Sequence, residues 1–346
     1  MLLTADYPPG LWSGIGVAVE TQAHALAAAG AEVHVVLPQQ AAQSARECGP
    51  RVHSLDGSHF PVDPRGFDWL HLHSLSLAEL ALEIRQRFGV KLAYTAHSLI
   101  ARELTQYAES NFWSRVQLAV MRASDAVIFL SESERAAALA IAPDLAARSR
   151  VVPNGLTPQI DVPRRNTPDG PIVFAGRFAR SKGIALLARF MTELVSKMGC
   201  RFVLAGGHGD AESERIVRET QARLGSACRL AGWLPPAQLR ALFGRAALVV
   251  APSEYEPFGM VALEAMSMGA PVLAARTGGL AEIVRPESGG RLAETRDPRE
   301  WVERAAAMLS DVAGWRALHE RGPRYVAKFF DPNLIAQRLL GEVYAG

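Results

Sequence analysis

The chain has 346 residues, a net charge of +2, and 49% hydrophobic against 21% charged residues. That length suits two domains of ordinary size, and the balanced charge argues against a nucleic-acid partner or a strongly basic membrane face. Cys48, Cys200 and Cys228 are scattered, with neither metal-ligand spacing nor an even disulfide framework, so a reducing, cytoplasmic setting is expected.

Short β-rich runs alternate with Ala/Leu-rich helical runs along nearly the whole chain. Strands are predicted at Leu2–Ala5, Glu32–Leu37, Trp69–His71, Lys91–Thr95, Ala126–Leu130 and Val151–Val152. Helical patterns fall between several of them, at Val17–Ala28, Ser76–Phe88 and Asn111–Arg122. The stretch 157–171, TPQIDVPRRNTPDGP, has no periodicity and reads as a linker. Alternation then resumes with strands at Ile172–Ala175, Phe202–Ala205, Cys228–Leu230, Leu248–Ala251 and Pro271–Ala274. Strands alternating with helices imply a parallel sheet covered on both faces. Two such runs predict two Rossmann-like domains, 1–156 and 172–330, with the ligand in a cleft at the carboxyl ends of their strands. The N-terminus lacks the charged start and apolar core of a signal peptide. No window has the unbroken apolar length of a membrane span, which leaves peripheral contact at the inner membrane face open.

Three stretches carry chemistry. After the first strand, Gly14 and Gly16 precede the helix predicted from Val17. Glycine permits close backbone approach, and a helix N-terminus favours a phosphate; the competing reading is a tight turn. After the first strand of the second half, FAGRFARSKG places Arg177 and Lys182 on a loop. Two cations there can hold a diphosphate and stabilise charge on a leaving group, or they can be solvated surface residues. In SEYEPFGMVALEAMSMGAPV, Glu256 precedes a helix and Glu264 lies on it. The first helical amides, from Gly259, Met260 and Val261, can cradle an anion. A carboxylate can accept two hydrogen bonds from a ribose diol. Glu264 is flanked by Ala262, Leu263, Ala265 and Met266, so a glutamate there needs a partner.

These stretches, together with YTAHSL, VIFLSESE, VVPNGL, TGGLAEIV and GGRL, resemble the retaining glycosyltransferases of the GT4-type family. EPFGMVALE matches that family's E-x7-E motif. The resemblance covers most of the chain and implies the GT-B architecture, two Rossmann-like domains facing across a cleft. It also implies that the last segment, 331–346, is a helix crossing back to the N-terminal domain. The first domain would bind the acceptor and the second a nucleotide-sugar donor. Residue by residue, the resemblance puts Glu264 on the nucleotide ribose and Glu256 near the donor sugar's hydroxyls. Phe258, Gly259, Met260 and Val261 would hold sugar and phosphate, and Arg177 and Lys182 the diphosphate. Gly14 and Gly16 would approach the diphosphate from the other domain, and His97, in YTAHSL, would lie beside the donor sugar.

The implied reaction moves a sugar from a nucleotide-diphosphate sugar to a small or lipid-linked acceptor with retention. UDP is the first expected donor nucleotide and GDP the second. No Asp-X-Asp motif is present, so no metal and no other cofactor is expected. His97, Glu256, Arg177 and Lys182 form the expected catalytic set, with front-face attack assisted by the departing phosphate. The base would meet Gly207–Asp210 and Gly232–Leu239, where Trp233 is either a base contact or core packing. Trp12, His73, Ser98 and Tyr107 are acceptor-side candidates. The alternatives are a non-catalytic nucleotide-sugar-binding subunit and another GT-B enzyme such as a UDP-sugar epimerase. A dinucleotide-binding dehydrogenase is disfavoured because Gly14 and Gly16 are not followed by a third glycine three residues on.

Overall fold

A computed structural model describes residues 1–8, 14–38, 49–55, 60–103, 109–157 and 163–345. The expected linker lies partly outside these, at 158–162, as do Trp12 and Tyr107. The chain divides into two compact units, Met1–Thr157 with Phe330–Gly346, and Pro158–Phe329.

The first unit runs β1 (Leu2–Leu3), α1 (Gly14–Ala28), β2 (His34–Leu37), β3 (Arg51–Ser54), β4 (Trp69–Leu72), α2 (Ala78–Phe88), β5 (Lys91–Ala96), α3 (Glu109–Ala123), β6 (Ala126–Phe129), α4 (Glu132–Ile141) and β7 (Ser149–Val151). Its seven strands are all parallel, in the order β3-β2-β1-β4-β5-β6-β7. Successive strand residues face opposite sides. Leu3, Val36, Leu70 and Leu72 therefore join one apolar layer with α2 and α4, while Leu2, Val35, Ala93 and Ile128 join the other with α1. Each fully buried side chain of this size contributes roughly 1.5–3 kcal/mol.

The second unit runs β8 (Ile172–Arg177), α5 (Ile184–Met198), β9 (Phe202–Gly207), α6 (Ala211–Leu224), β10 (Cys228–Gly232), α7 (Pro236–Phe243), β11 (Leu248–Ala251), α8 (Met260–Ser267), β12 (Val272–Ala275), α9 (Gly278–Ile283), β13 (Gly290–Ala293), α10 (Pro298–Ser310) and α11 (Val312–Phe329). The strand order is β10-β9-β8-β11-β12-β13, again all parallel. In both units the order reverses beside the first strand, the doubly wound arrangement whose ligands bind beyond the carboxyl ends of the central strands.

The chain then rejoins the first unit as α12 (Pro332–Arg338), continued by a wider turn over Leu339–Tyr344. Asp331 caps it, accepting from the Asn333 amide at 2.7 Å, with Pro332 pre-set at the first helical position. Ile335, Ala336, Leu339 and Val343 pack into the α1 layer. The Arg338 guanidinium donates to the Val151 carbonyl at 2.7 Å, and the Trp69 indole to the Tyr344 carbonyl at 3.1 Å.

Several elements differ from the sequence reading. The helix expected from Val17 begins at Gly14, so Gly14 and Gly16 lie in its first turn and not in a loop before it. Glycine permits a loop but does not impose one, and early positions have no preceding helical turn to oppose them. β1 ends at Leu3, because the Thr4 hydroxyl turns to the Asp6 carbonyl and the Ser74 hydroxyl. β3 and β13 were not anticipated. β3 is a half-exposed edge strand, RVHS, and β13 opens on a glycine, so neither carries an apolar run.

Candidate functional site

In the second unit three loops at the carboxyl edge of the sheet lock together. β8 is apolar until Gly176, and Arg177 then emerges exposed at its end. The chain makes one 3₁₀ turn over Arg180–Lys182, and Gly183 starts α5 at φ +73°. A Cβ on Gly183 would sit 1.9 Å from the Pro252 carbonyl oxygen. Only glycine lets the Lys182 loop close on the β11–α8 loop this way. The Glu254 and Tyr255 amides then donate to the Ser181 carbonyl, at 2.7 and 3.2 Å. Gly183→Ala is expected to cost about 3 kcal/mol or more, because backbone must move on both loops. Thermal and denaturant unfolding of the variant check this.

This closure fixes Lys182 and Glu256. Lys182 Nζ donates to Glu256 Oε2 at 2.8 Å, and the Ser253 hydroxyl donates to the same oxygen at 3.2 Å. Both partners are mostly buried. From the far side the Arg296 guanidinium holds the Pro252 and Ser253 carbonyls, at 3.2 and 3.3 Å, and the Glu254 carboxylate at 3.2 Å. Arg296 had no signal in the sequence, since its partners lie some forty residues upstream.

The TGGLAEIV stretch supports the loop from below. The Gly279 amide donates to the Glu256 carbonyl at 2.9 Å, and the Thr277 hydroxyl to the Glu254 carbonyl at 3.2 Å. Gly278, at φ +45°, brings the α9 terminus so close that a Cβ would lie 2.1 Å from the Glu256 carbonyl oxygen. Phe258 is buried, and Gly259 caps α8 at φ +110°. Helix geometry leaves the first-turn amides of Gly259, Met260 and Val261 without intrahelical acceptors, an anion-favouring end.

Glu264 lies on α8 with its edge reaching solvent. The partner it was expected to need is not a hydrogen-bonded one: among the described residues its carboxylate has no hydrogen bond or ion pair. Burial pushes its pKa up to about 7, partly offset by the Arg240 guanidinium on α7. Arg240 Nε is itself sealed from solvent with no partner among the described residues. An unsatisfied carboxylate and an unsatisfied guanidinium on neighbouring helices leave room for a ligand that bonds to one or both.

The neighbouring loop completes the edge. Asp210 caps α6 through the Ser213 amide at 2.8 Å and also accepts the Arg180 amide at 2.8 Å. His208 sits at φ +52°, edge-on to Trp233 with ring centroids 5.8 Å apart. Trp233 is 48% exposed, so it is not core packing.

In the first unit, His97 follows β5 and is largely buried, with one edge reaching solvent. Its Nε2 faces His73 Nδ1 at 3.1 Å. Beside them, His71 Nε2 bonds the Thr95 hydroxyl at 2.7 Å, and His71 Nδ1 meets the Gln22 amide and the Tyr344 hydroxyl. Burial holds the pKa of His97 down to about 4, that of His71 to about 3, and that of His73 well below the ordinary value. All three are neutral at physiological pH. Ser98 donates to Glu103 at 2.6 Å. Gly14 is exposed, and a Cβ there would meet nothing within 4 Å. His71 and the C-terminal Tyr344 were missed in the sequence reading. The HLH spacing, which sets two histidines on one strand face, was the available signal for the first.

Arg177, Lys182, Glu256, Phe258–Val261 and Glu264 thus belong to the second unit, and Gly14, Gly16 and His97 to the first. Such paired doubly wound units, one carrying an anion-favouring helix end beside a Lys–Glu pair, define a GT-B protein of the glycosyltransferase type. Residues 12–159 match the description Glycosyltransferase Family 4, and residues 170–311 match Glycosyl transferases group 1. A D-inositol 3-phosphate glycosyltransferase of Acidothermus cellulolyticus is 31% identical over 304 residues, covering 81% of this chain and 67% of that protein. Against three relatives of that name the chain spans 62%, 69% and 67% of their lengths. The sucrose-phosphate synthase of Thermosynechococcus elongatus superposes with a TM-score of 0.81 at 26% identity, over 99% of this chain and 97% of that one. Anabaena HepE, solved with UDP-glucose, superposes at 0.76 with 18% identity, over 100% and 99%. The chain belongs to the family 4 glycosyltransferases, with the GT-B fold. No helix among its described residues is long and apolar enough to cross a membrane.

Proposed function

We propose that this protein is a retaining glycosyltransferase that moves a sugar from a nucleotide-diphosphate sugar, with UDP the first candidate, to a hydroxyl of a small or lipid-linked acceptor. The observation that carries the reading is the Lys182–Glu256 pair, held at 2.8 Å by loop closure at the edge where α8 offers its first amides. Lys182 and Arg177 supply positive charge for the diphosphate, and the α8 terminus adds its dipole, so charge on the leaving group is stabilised by residues that need no divalent ion. Glu264, a carboxylate with no hydrogen-bonding partner among the described residues, accepts from the ribose diol. Glu256, tied to Lys182, is oriented toward the sugar hydroxyls and is not assigned as a nucleophile. The half-exposed Trp233 and the half-buried Leu234 flank the base. A UDP-sugar donor is in keeping with the UDP-glucose held by HepE, a protein of the same fold. His97, Gly14 and Gly16 serve the sugar and acceptor side.

A thermal-shift panel of UDP-, GDP-, ADP- and dTDP-sugars in EDTA tests this. One nucleotide class is expected to raise the melting temperature, by about 2.7 kcal/mol of added stability at a hundred times its Kd. Transfer to an acceptor is expected to survive the chelator. Absence of a shift with every sugar nucleotide, or strict dependence of transfer on a divalent ion, would overturn the reading.

A further inference from the structure

The first unit contains a chain of three histidines that the proposed transfer uses only in part. His71 and His73 are two residues apart at the end of β4, so they share one face of the strand, with ring centroids 4.1 Å apart. His97 sits at the end of the adjacent β5. Two imidazole nitrogens facing each other at 3.1 Å, His73 Nδ1 and His97 Nε2, hold one proton between them: one ring donates and the other accepts. Burial keeps both rings neutral, so a second proton is not present on either.

The two outer nitrogens decide which ring donates. His73 is 3% exposed, and its Nε2 is sealed from solvent with no hydrogen-bond partner among the described residues. His97 Nδ1 also has no partner among them, but it is not sealed. Were His97 the donor, His73 would carry its own proton on Nε2, a buried N–H with no acceptor. Orphaned buried N–H groups are rarer than under-satisfied acceptors, and leaving one costs about 1–3 kcal/mol. With the proton on His73 Nδ1 instead, the buried outer nitrogen is a lone pair and the free N–H is the one that reaches solvent.

We infer that His73 donates from Nδ1 to His97 Nε2 and holds His97 as the Nδ1–H tautomer, which makes His73 a positioning residue and His97 a hydrogen-bond donor to an oxygen rather than a proton acceptor. The group it would meet is a carbohydrate hydroxyl or a phosphoryl oxygen. That choice of ligand rests on the function proposed above; the tautomer does not. It follows that the acceptor's proton is not taken by His97.

The test uses the full chain labelled with ¹⁵N-histidine and two-bond ¹H–¹⁵N correlation, with His97→Gln assigning the His97 signals. His97 is expected to show a protonated Nδ1 and an unprotonated Nε2. The reverse pattern overturns the inference even if the enzyme is fully active. Absence of any transfer alongside the expected pattern would sink the functional reading alone. His73→Leu removes the donor. It is expected to let His97 populate the other tautomer and to lower kcat about tenfold, the worth of one oriented hydrogen bond, with the donor KM unchanged. His73→Asn, whose amide N–H can take the place of Nδ1–H, is expected to restore both the tautomer and most of the rate. An unchanged His97 pattern in His73→Leu overturns the inference; if that variant does not fold, the wild-type spectrum decides.

Discussion

Lys182→Ala is expected to lower turnover about a thousandfold while the protein stays folded. Removing one preorganised charge from a site where negative charge develops typically costs two to three orders of magnitude. Lys182 is well placed for this, since its ammonium is fixed at 2.8 Å from Glu256 and the loop carrying it is held by the Ser181 carbonyl and Gly183. The alanine variant also releases Glu256, which among the described residues keeps only the Ser253 hydroxyl. Part of the loss is therefore the freed carboxylate, which would repel the diphosphate. Lys182→Met, read against the double variant Lys182→Met with Glu256→Gln, separates the two contributions. Steady-state kinetics with saturating donor, beside a melting curve, measures the effect. Turnover of Lys182→Ala within threefold of the parent would remove Lys182 from the mechanism.

Glu264→Ala is expected to reduce kcat/KM for the donor by about a hundred- to ten-thousandfold, the loss of two hydrogen bonds to a charged acceptor at roughly 1.5–3 kcal/mol each. The same residue gives donor binding a pH dependence whose sign follows from its environment. Its pKa is raised in the folded protein from 4.5 to about 7 because burial disfavours the charge. Between those values the folded state holds a proton that the unfolded state has released, so this group's contribution to stability is full below 4.5 and is lost as pH rises toward 7. In the proposed function the diol binds to the carboxylate, so donor affinity is expected to rise through about pH 7, with a proton released on binding. A sugar nucleotide suits the titration, since its diphosphate diester does not titrate there. Glu264→Gln is expected to flatten the profile and to melt no lower than the parent at pH 8. Arg240→Met, which removes the charge that pulls Glu264 down, should move the midpoint to higher pH. Calorimetric titration from pH 5.5 to 8.5 reads all three; a flat wild-type profile would show that Glu264 does not meet the nucleotide.

Much of the fold was legible because its causes are local. Buried parallel strands need continuous β-branched and aliphatic runs, and IVFA, FVLA, LVVA and VLAA are such runs. Strands without that signature, RVHS and GRLA, were invisible, because each lies at the edge of its sheet and carries no continuous apolar run. Within the site, the residue types were readable but their pairings were not. Lys182 and Glu256 are 74 residues apart, and their contact depends on Gly183, where any Cβ would lie 1.9 Å from the Pro252 carbonyl oxygen. Glu264 could be singled out as a carboxylate in an apolar helix. That no group among the described residues bonds it required the packing of α7 against α8.

The order of residues along this chain was sufficient to set its alternation of strands and helices and its division into two doubly wound halves. Apolar periodicity and turn chemistry act over a few residues, so they are written in the sequence itself. Tertiary structure alone decided that Gly14 and Gly16 open a helix, that Lys182 rests on Glu256, that Glu264 finds no hydrogen-bonding partner among the described residues, and that His73 Nδ1 faces His97 Nε2. Each of these depends on the burial and approach of groups from distant segments, and desolvation and close contact exist only once those segments have packed.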